Sequence, residues 1–190
     1  MPTRSIRIIG MAVALAHGAV FAGCHVHYGQ DPHGSRAGSS KAAIEGDEIR
    51  IKEAISFAHD SAEIHPSSFQ LIADIADVMK RHDDIDFVEI AGHASKTGDA
   101  DYNLALTQRR ASSVMIALVD QGVAYDRMRA VGYGFYCELK PGDDDSNRRV
   151  EFKILRRAGR DTGVKGGGCE AADARGLGAK PIPSSAPSSR

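Results

Sequence analysis

The chain has 190 residues, a formal net charge of -1, 6% aromatic residues and no tryptophan. The near-zero charge gives no indication of nucleic-acid binding, and the core must be largely aliphatic. The three cysteines form no C-x-x-C pair, which argues against a thiolate zinc site or a thioredoxin-like redox motif.

The N-terminal residues 1–23 have the pattern of a secretory signal peptide. Arg4 and Arg7 precede a mostly apolar stretch, Ile8 to Phe21, which is too short and too mixed for a transmembrane helix. The segment ends V-F-A-G-C and resembles a bacterial lipobox, so we expect Cys24 to become the lipidated N-terminus. Histidine rather than aspartate follows Cys24, and in the sorting scheme that this resembles it favours the outer membrane. Ordinary secretion with a free or paired cysteine is the alternative.

The two flanks of the chain lack the patterns of folded structure. Residues 24–46 have few large apolar side chains and several Gly and Ser, which predicts a flexible tether. Residues 158–190 lack hydrophobic periodicity and are rich in Gly, Ala, Ser and Pro, which predicts a disordered tail. The histidines of the tether have no partner cysteine or carboxylate cluster, so we expect no metal site.

Residues 47–157 carry the periodic patterns of one folded domain, with elements in the order β-α-β-α-β-β. Apolar spacing predicts strands over 49–57, 87–92, 127–132 and 150–154, and helices over 67–81 and from Asp99 or Asp101 to Gly122. A capping box at Ser67 and Gln70 begins the first helix. Two crossover helices in this order predict an α+β fold with a mixed sheet and both helices packed on one face.

The stretch from Ile90 to Ala111 is the main candidate site. It reads as the end of a strand, a loop containing glycine and the first turns of an amphipathic helix. Backbone N–H groups at such a helix start favour an anion. Arg110, about two turns inward, adds a guanidinium that can bind a carboxylate bidentately. Further along, Arg148 and Arg149 alternate across the last strand, so we expect one of them to face the helices or the site.

A second expectation concerns the cysteines. If Cys24 is lipidated, the remaining pair lies in an oxidising compartment, where a Cys137–Cys169 disulfide is plausible. It would close a loop of about 32 residues and contribute roughly 3–4 kcal/mol. Two free thiols are the alternative.

Five motifs, in this order, resemble the OmpA-like C-terminal domain family. They are I-S-F-A-H-D-S-A-E-I (55–64), I-A-G-H-A-S-K-T-G (90–98), D-Y-N-L-A-L-T-Q-R-R-A (101–111), V-G-Y-G (131–134) and N-R-R-V-E-F (147–152). The resemblance covers roughly residues 47–157. It implies an OmpA-like fold that binds peptidoglycan non-covalently through the peptide stem, without a catalytic residue or a cofactor.

The resemblance also implies roles for particular residues. Arg110 matches the arginine that binds the carboxylate of a diaminopimelate stem, and Ser95 stands where the family has an aspartate for the ammonium. Asp60 and Asp99 are the candidates to supply the missing charge, and Asp60 lies in a loop that the family uses for a side-chain contact. The other matching positions are Ala94, Asn103, Leu106 and Thr107. Serine carries no charge, so it is expected to bind an ammonium more weakly than aspartate does.

Together these observations predict an outer-membrane lipoprotein whose periplasmic domain links the membrane to the cell wall. Signal peptide, lipobox and tether resemble the lipoproteins of the same family. The alternative is an OmpA-like scaffold that has lost wall binding and contacts an envelope protein, as Tol-type partners do in the family. An enzyme is not expected, because no nucleophile elbow surrounds Ser95 and no other catalytic constellation is present.

Overall fold

The computed structural model describes residues 40–177 and 181–182. The expected signal peptide, Cys24 and the tether as far as residue 39 lie outside the described residues. Within the described residues, no helix has the length and apolar character needed to cross a membrane. The strands are β1 (Ala42–Glu45), β2 (Glu48–Ile51), β3 (Ile85–Gly92), β4 (Met128–Gly132), β5 (Val150–Arg157) and β6 (Arg160–Asp161). The helices are α1 (Phe69–Arg81), α2 (Ala100–Asp120), α3 (Asp144–Asn147) and α4 (Glu170–Asp173).

The strands form one mixed sheet in the order β1-β2-β5-β3-β4, with β6 paired to β5. β3 and β4 are parallel, and α2 supplies the crossover connection that parallel neighbours require. The other pairs are antiparallel, and in the central pair Ile90 lies opposite Phe152. The α+β class and the mixed sheet predicted from the sequence are confirmed.

Helices α1 and α2 pack on one face of the sheet and bury the main core there. Strand residues alternate between the two faces, so Val88 and Ile90 of β3 point toward the helices while Glu89 and Ala91 point away. The fully buried side chains of this core come from both helices and from the two central strands: Leu71, Ile75, Met79, Val114, Leu118, Val88, Ile90, Phe152 and Ile154. The helical and alternating spacings of these residues explain why the sequence predicted these elements correctly.

Helix α1 begins differently from the predicted capping box at Ser67 and Gln70. The ring of His65 accepts a hydrogen bond from Ser67 N at 3.3 Å, and a 3-10 turn over Pro66–Ser68 leads into α1 at Phe69. Pro66 favours this start because its fixed φ suits the first turn of a helix.

Helix α2 follows the prediction and lies unusually close to the sheet. Asp99 caps it by accepting from Tyr102 N at 2.8 Å, and Gly122, just past its end, has φ +88°. A Cβ added at Gly132 of β4 would lie 2.3 Å from the backbone nitrogen of Gln108. Only glycine permits this approach of helix backbone to strand backbone.

The predicted tether at 24–46 is wrong at its C-terminal end, where Ala42–Glu45 form β1. This strand pairs with β2 around a turn at Gly46, which has φ +60°, and Ala42 is buried. Four residues, two of them alanine, carry too little periodicity to be recognised as a strand.

The strand predicted over 49–57 is shorter than expected, because β2 ends at Ile51. Glu53, the one exception to the alternating pattern, accepts from Lys41 Nζ at 2.6 Å on the surface. The exception therefore marks the point where the chain leaves the sheet.

The disordered tail predicted over 158–190 is wrong for the C-terminal segment, which we define as residues 158–177. This segment contains β6 and α4 and covers part of the sheet face opposite α1 and α2, which the predicted architecture left bare. A Cβ added at Gly167 would lie 2.2 Å from the side chain of Ala91, and Ala172 is buried near Tyr133. A disulfide joins Cys169 to Cys137, with the Cα atoms 5.6 Å apart. The contact uses glycine backbone and small side chains, so it leaves no hydrophobic periodicity in the sequence.

Beneath the C-terminal segment lies Glu89, whose side chain is completely buried. Its carboxylate accepts from Arg129 Nε at 2.8 Å, from the Tyr133 hydroxyl at 2.8 Å and from Gly167 N at 2.7 Å. Burial, followed by the neighbouring Glu89 charge, raises the pKa of Tyr133, which therefore stays a hydrogen-bond donor. A buried carboxylate is tolerated when its oxygens are satisfied in this way, and one of the three donors belongs to the C-terminal segment.

Replacing both Cys137 and Cys169 by alanine is expected to lower the free energy of unfolding by roughly 3–4 kcal/mol, because the unfolded chain loses the constraint of a closed loop. Urea denaturation of wild type and variant under non-reducing conditions measures the change. Wild type treated with a reductant is the control and should lose a similar amount. Mass spectrometry that found both thiols free in untreated protein would contradict the prediction.

Candidate functional site

A cleft of about 490 Å³ opens where the loop after β2 meets the end of β3, helix α2 and the start of β5. Its walls come from these four parts of the chain: residues 54–60, Gly92 and His93, Thr107 and Arg110, and Asp145 with residues 148–150. Three guanidinium groups and two carboxylates of the described residues line it, so the cleft is polar and carries both signs of charge.

Arg110 is the cation of the cleft that is best prepared for a ligand. Its Nε donates to Ser61 O at 2.8 Å, and its guanidinium lies 4.9 Å from the centre of the Phe57 ring. Within the described residues, the two terminal nitrogens have no hydrogen-bond partner and no carboxylate within ion-pair distance. Partial burial lowers the pKa of Arg110 from its usual value, and nearby Asp60 opposes that shift. The side chain is thus held in place through Nε, while its two terminal nitrogens can donate to a ligand. This arrangement suits binding of a carboxylate.

The loop after β3 is held by its own hydrogen bonds. Asn103 Nδ2 donates to Thr97 O at 2.7 Å and to Asp99 O at 2.9 Å, so this side chain secures the loop. Ser95 is buried, its hydroxyl lies 3.0 Å from Thr97 Oγ1, and it accepts from Arg148 Nη1 at 3.2 Å. Neither Ser95 nor Asn103 lines the cleft.

Three further predicted site residues have well-defined places. Thr107 lines the cleft, accepts from Gly134 N at 3.0 Å and donates to Leu104 O at 3.0 Å. Leu106 is buried, and Ala94 donates its backbone N–H to Gly134 O at 2.7 Å. Of the seven predicted contact residues, the structure therefore brings Arg110, Asp60 and Thr107 to the cleft wall.

Asp60 lies across from α2 in the loop after β2. It has φ +51°, an unusual value for aspartate, and its carboxylate accepts a hydrogen bond from the Tyr102 hydroxyl. That bond raises the pKa of Tyr102. The contact ties the loop to the first turn of α2 and holds a carboxylate at the cleft.

Arg148 and Arg149, the two residues that precede β5, both line the cleft, whereas the sequence predicted that only one would face it. The strand begins at Val150, so strand alternation does not apply to either arginine. Arg148 Nη2 lies 2.5 Å from Asp145 Oδ1, and Arg149 Nε lies 2.6 Å from Glu151 Oε1. In the sequence, the motif N-R-R-V-E-F was the feature that could have indicated this wall of the cleft.

His93 forms the floor of the cleft and is 2% exposed. Its ring stacks on Tyr133 with 5.4 Å between centroids, and neither ring nitrogen has a hydrogen-bond partner within the described residues. Burial, reinforced by Arg149, lowers the pKa of His93 to about 3, although Glu151 Oε2 lies 3.9 Å away and opposes the shift. The imidazole is therefore neutral in the folded protein near pH 7.

Across residues 40–177 and 181–182, no group of three or more His, Cys, Asp or Glu side chains could hold a metal ion. The side chains that line the cleft offer hydrogen bonds and fixed charges of both signs. Such an arrangement suits recognition of a small charged group.

Comparisons with known proteins agree with the fold and its motifs. The family model described as the OmpA family matches residues 56–151. The peptidoglycan-associated lipoprotein of Pseudomonas aeruginosa is 31% identical over 76% of this chain and 92% of its own. Outer membrane porin F of Pseudomonas fluorescens is 36% identical over 58% of this chain, which spans about a third (35%) of that protein. Among solved structures, a MotB-like protein from Desulfovibrio vulgaris has a TM-score of 0.51 and 25% identity, covering 61% of this chain and 80% of its own. The C-terminal segment lies outside the range that the family model matches.

The buried neutral His93 predicts a pH-dependent stability. The unfolded imidazole gains a proton below about pH 6.5, whereas the folded one does so only near pH 3, so stability is fully present above 6.5 and is lost as the pH falls. Between pH 7 and pH 5 the loss should reach about 2 kcal/mol. Urea denaturation across that range measures it.

The variant His93→Gln should lack this component, whatever its stability at pH 7. His59→Gln, at an exposed position, controls for removal of an imidazole elsewhere. A pH dependence that was the same in His93→Gln and wild type would refute the prediction.

Proposed function

The chain belongs to the OmpA family, and from this premise we propose that its domain binds peptidoglycan non-covalently through the peptide stem. The family consists of structural proteins of the cell envelope and not of enzymes. Names of relatives support the proposal, since several are peptidoglycan-associated lipoproteins. The observation that carries the proposal is the environment of Arg110 in the cleft. Its Nε is hydrogen-bonded to Ser61 O and its guanidinium lies over the Phe57 ring, while its terminal nitrogens remain accessible to a ligand.

In the proposed complex, the terminal nitrogens of Arg110 donate to the side-chain carboxylate of a diaminopimelate residue in the stem. Ser61 O and the Phe57 ring hold the guanidinium before the ligand arrives, so little side-chain freedom is lost on binding. A charge-assisted hydrogen bond of this kind contributes about 1.5–3 kcal/mol. Binding changes no covalent bond of the ligand.

We further propose that the protein is an outer-membrane lipoprotein that links the membrane to the wall. Acyl chains on Cys24 would hold the outer membrane, since stable anchoring needs more than one chain. The domain would lie in the periplasm. Because β1 begins at Ala42, the tether would run from Cys24 to about residue 41, somewhat shorter than the sequence indicated.

A second candidate function is a scaffold for an envelope protein of the Tol type. The observation that favours it is Ser95, a buried neutral residue hydrogen-bonded to Arg148 where the family has an aspartate. Crosslinking in cells that recovered a protein partner, together with no binding to purified wall, would select this function.

The prediction for wall binding is that Arg110→Ala weakens it by about 10- to 100-fold, because the variant loses a charge-assisted contact. Co-sedimentation of the full chain with purified cell wall, over a range of protein concentrations, measures the affinity. Arg109→Ala is the matched control, since Arg109 is the exposed neighbour with the same charge. Equal binding by wild type and Arg110→Ala would remove Arg110 from the site.

A further inference from the structure

The cleft holds its opposite charges in two different ways. Two of its arginines are already neutralised by carboxylates of the chain, Arg148 by Asp145 at 2.5 Å and Arg149 by Glu151 at 2.6 Å. Closed ion pairs of this kind offer little net charge to a ligand. The charges that matter for recognition are those left unpaired at the cleft wall.

Arg110 and Asp60 are such a pair. Each lines the cleft, and each is positioned by a neutral partner, Arg110 by Ser61 O and Asp60 by the hydroxyl of Tyr102. Asp60 is close enough to influence the titration of Arg110, yet the two side chains form no ion pair with each other. A cation and an anion that are held near each other without contact can be bridged by a group carrying both charges.

The loop after β3 provides no comparable anion at the cleft. Its one carboxylate, Asp99, caps α2 by accepting from Tyr102 N and does not line the cleft. Ser95 carries no charge, and its hydroxyl is engaged by Thr97 and Arg148 below the surface. An ammonium placed there would meet the Arg148 guanidinium, which repels it. Asp60, in contrast, is exposed at the cleft, and within the described residues only one of its carboxylate oxygens has a hydrogen-bond partner.

We propose that Asp60, positioned by Tyr102, binds the ammonium of a ligand group whose carboxylate is bound by Arg110. The ligand class is a stem peptide with a free amino-acid end, in which ammonium and carboxylate share one carbon. This rests on the proposed function and adds to it the anionic half of the site, which lies in the loop after β2 instead of the loop after β3. Tyr102 is a positioning residue, because it acts on the ligand only through Asp60.

The test is titration calorimetry of the full-length chain with two soluble probes. One is the tripeptide L-Ala–γ-D-Glu–meso-diaminopimelate, and the other is the same peptide with its side-chain amine acetylated, which removes the ammonium charge. Wild type should bind the free amine about 10- to 100-fold more tightly than the acetylated form, the value of one charge-assisted hydrogen bond.

Three variants test which residue causes the preference for the free amine. Asp60→Asn should bind both peptides equally, at about the affinity of wild type for the acetylated form. Tyr102→Phe keeps the ring and should show a smaller preference than wild type. Asp101→Asn, which removes an exposed carboxylate of α2 that does not line the cleft, is the matched control and should keep the full preference.

A preference for the free amine that persisted in Asp60→Asn would overturn the proposal, because another group or the bulk of the acetyl group would then cause the difference. Loss of the preference in Asp101→Asn but not in Asp60→Asn would overturn it as well. Wild type that bound both peptides equally and still co-sedimented with the wall would overturn this inference alone. Absence of wall binding by wild type would instead refute the proposed function.

Discussion

The position of α2 on β3 and β4 is the constraint on which the cleft depends. Added Cβ atoms at Gly92 and Gly132 would lie 2.5 Å and 2.3 Å from helix backbone atoms, so the helix can occupy this position only over glycine. The Gln108 side chain then donates to Ala130 O and accepts from Gly132 N, which fixes the helix along the strand. This register brings Arg110 to the end of β3, where the other walls of the cleft meet it.

The opposite face of the sheet supports the site in a less direct way. Glu89 is buried there and needs a donor from the C-terminal segment, Gly167 N, in addition to Arg129 and Tyr133. The disulfide fastens that segment to Cys137, whose carbonyl accepts from Arg149 Nη2 at 3.3 Å. The segment is therefore connected to one wall of the cleft through the disulfide and one hydrogen bond, although it lies outside the range shared with the family.

Much of the domain was predictable because its elements carry their own periodic signals. The long helices bury every third or fourth residue in the main core, and the central strands bury every second one. Both spacings are visible in the sequence. The elements that were missed lack such a signal. β1 is short and contains two alanines, and the C-terminal segment packs through glycine backbone against Ala91 and Tyr133. The packing of β1 and of the C-terminal segment therefore does not depend on a hydrophobic pattern in either stretch of sequence.

The sequence by itself determined the family, the α+β architecture and the presence of an arginine at position 110, because motifs and periodicity are local properties of the chain. Only the tertiary structure decided which charges remain open. Arg148 and Arg149 are closed by Asp145 and Glu151, whereas Arg110 and Asp60 share a cleft without pairing. Arg110 and Asp60 are 50 residues apart in the sequence, and no local pattern records the distance between their side chains.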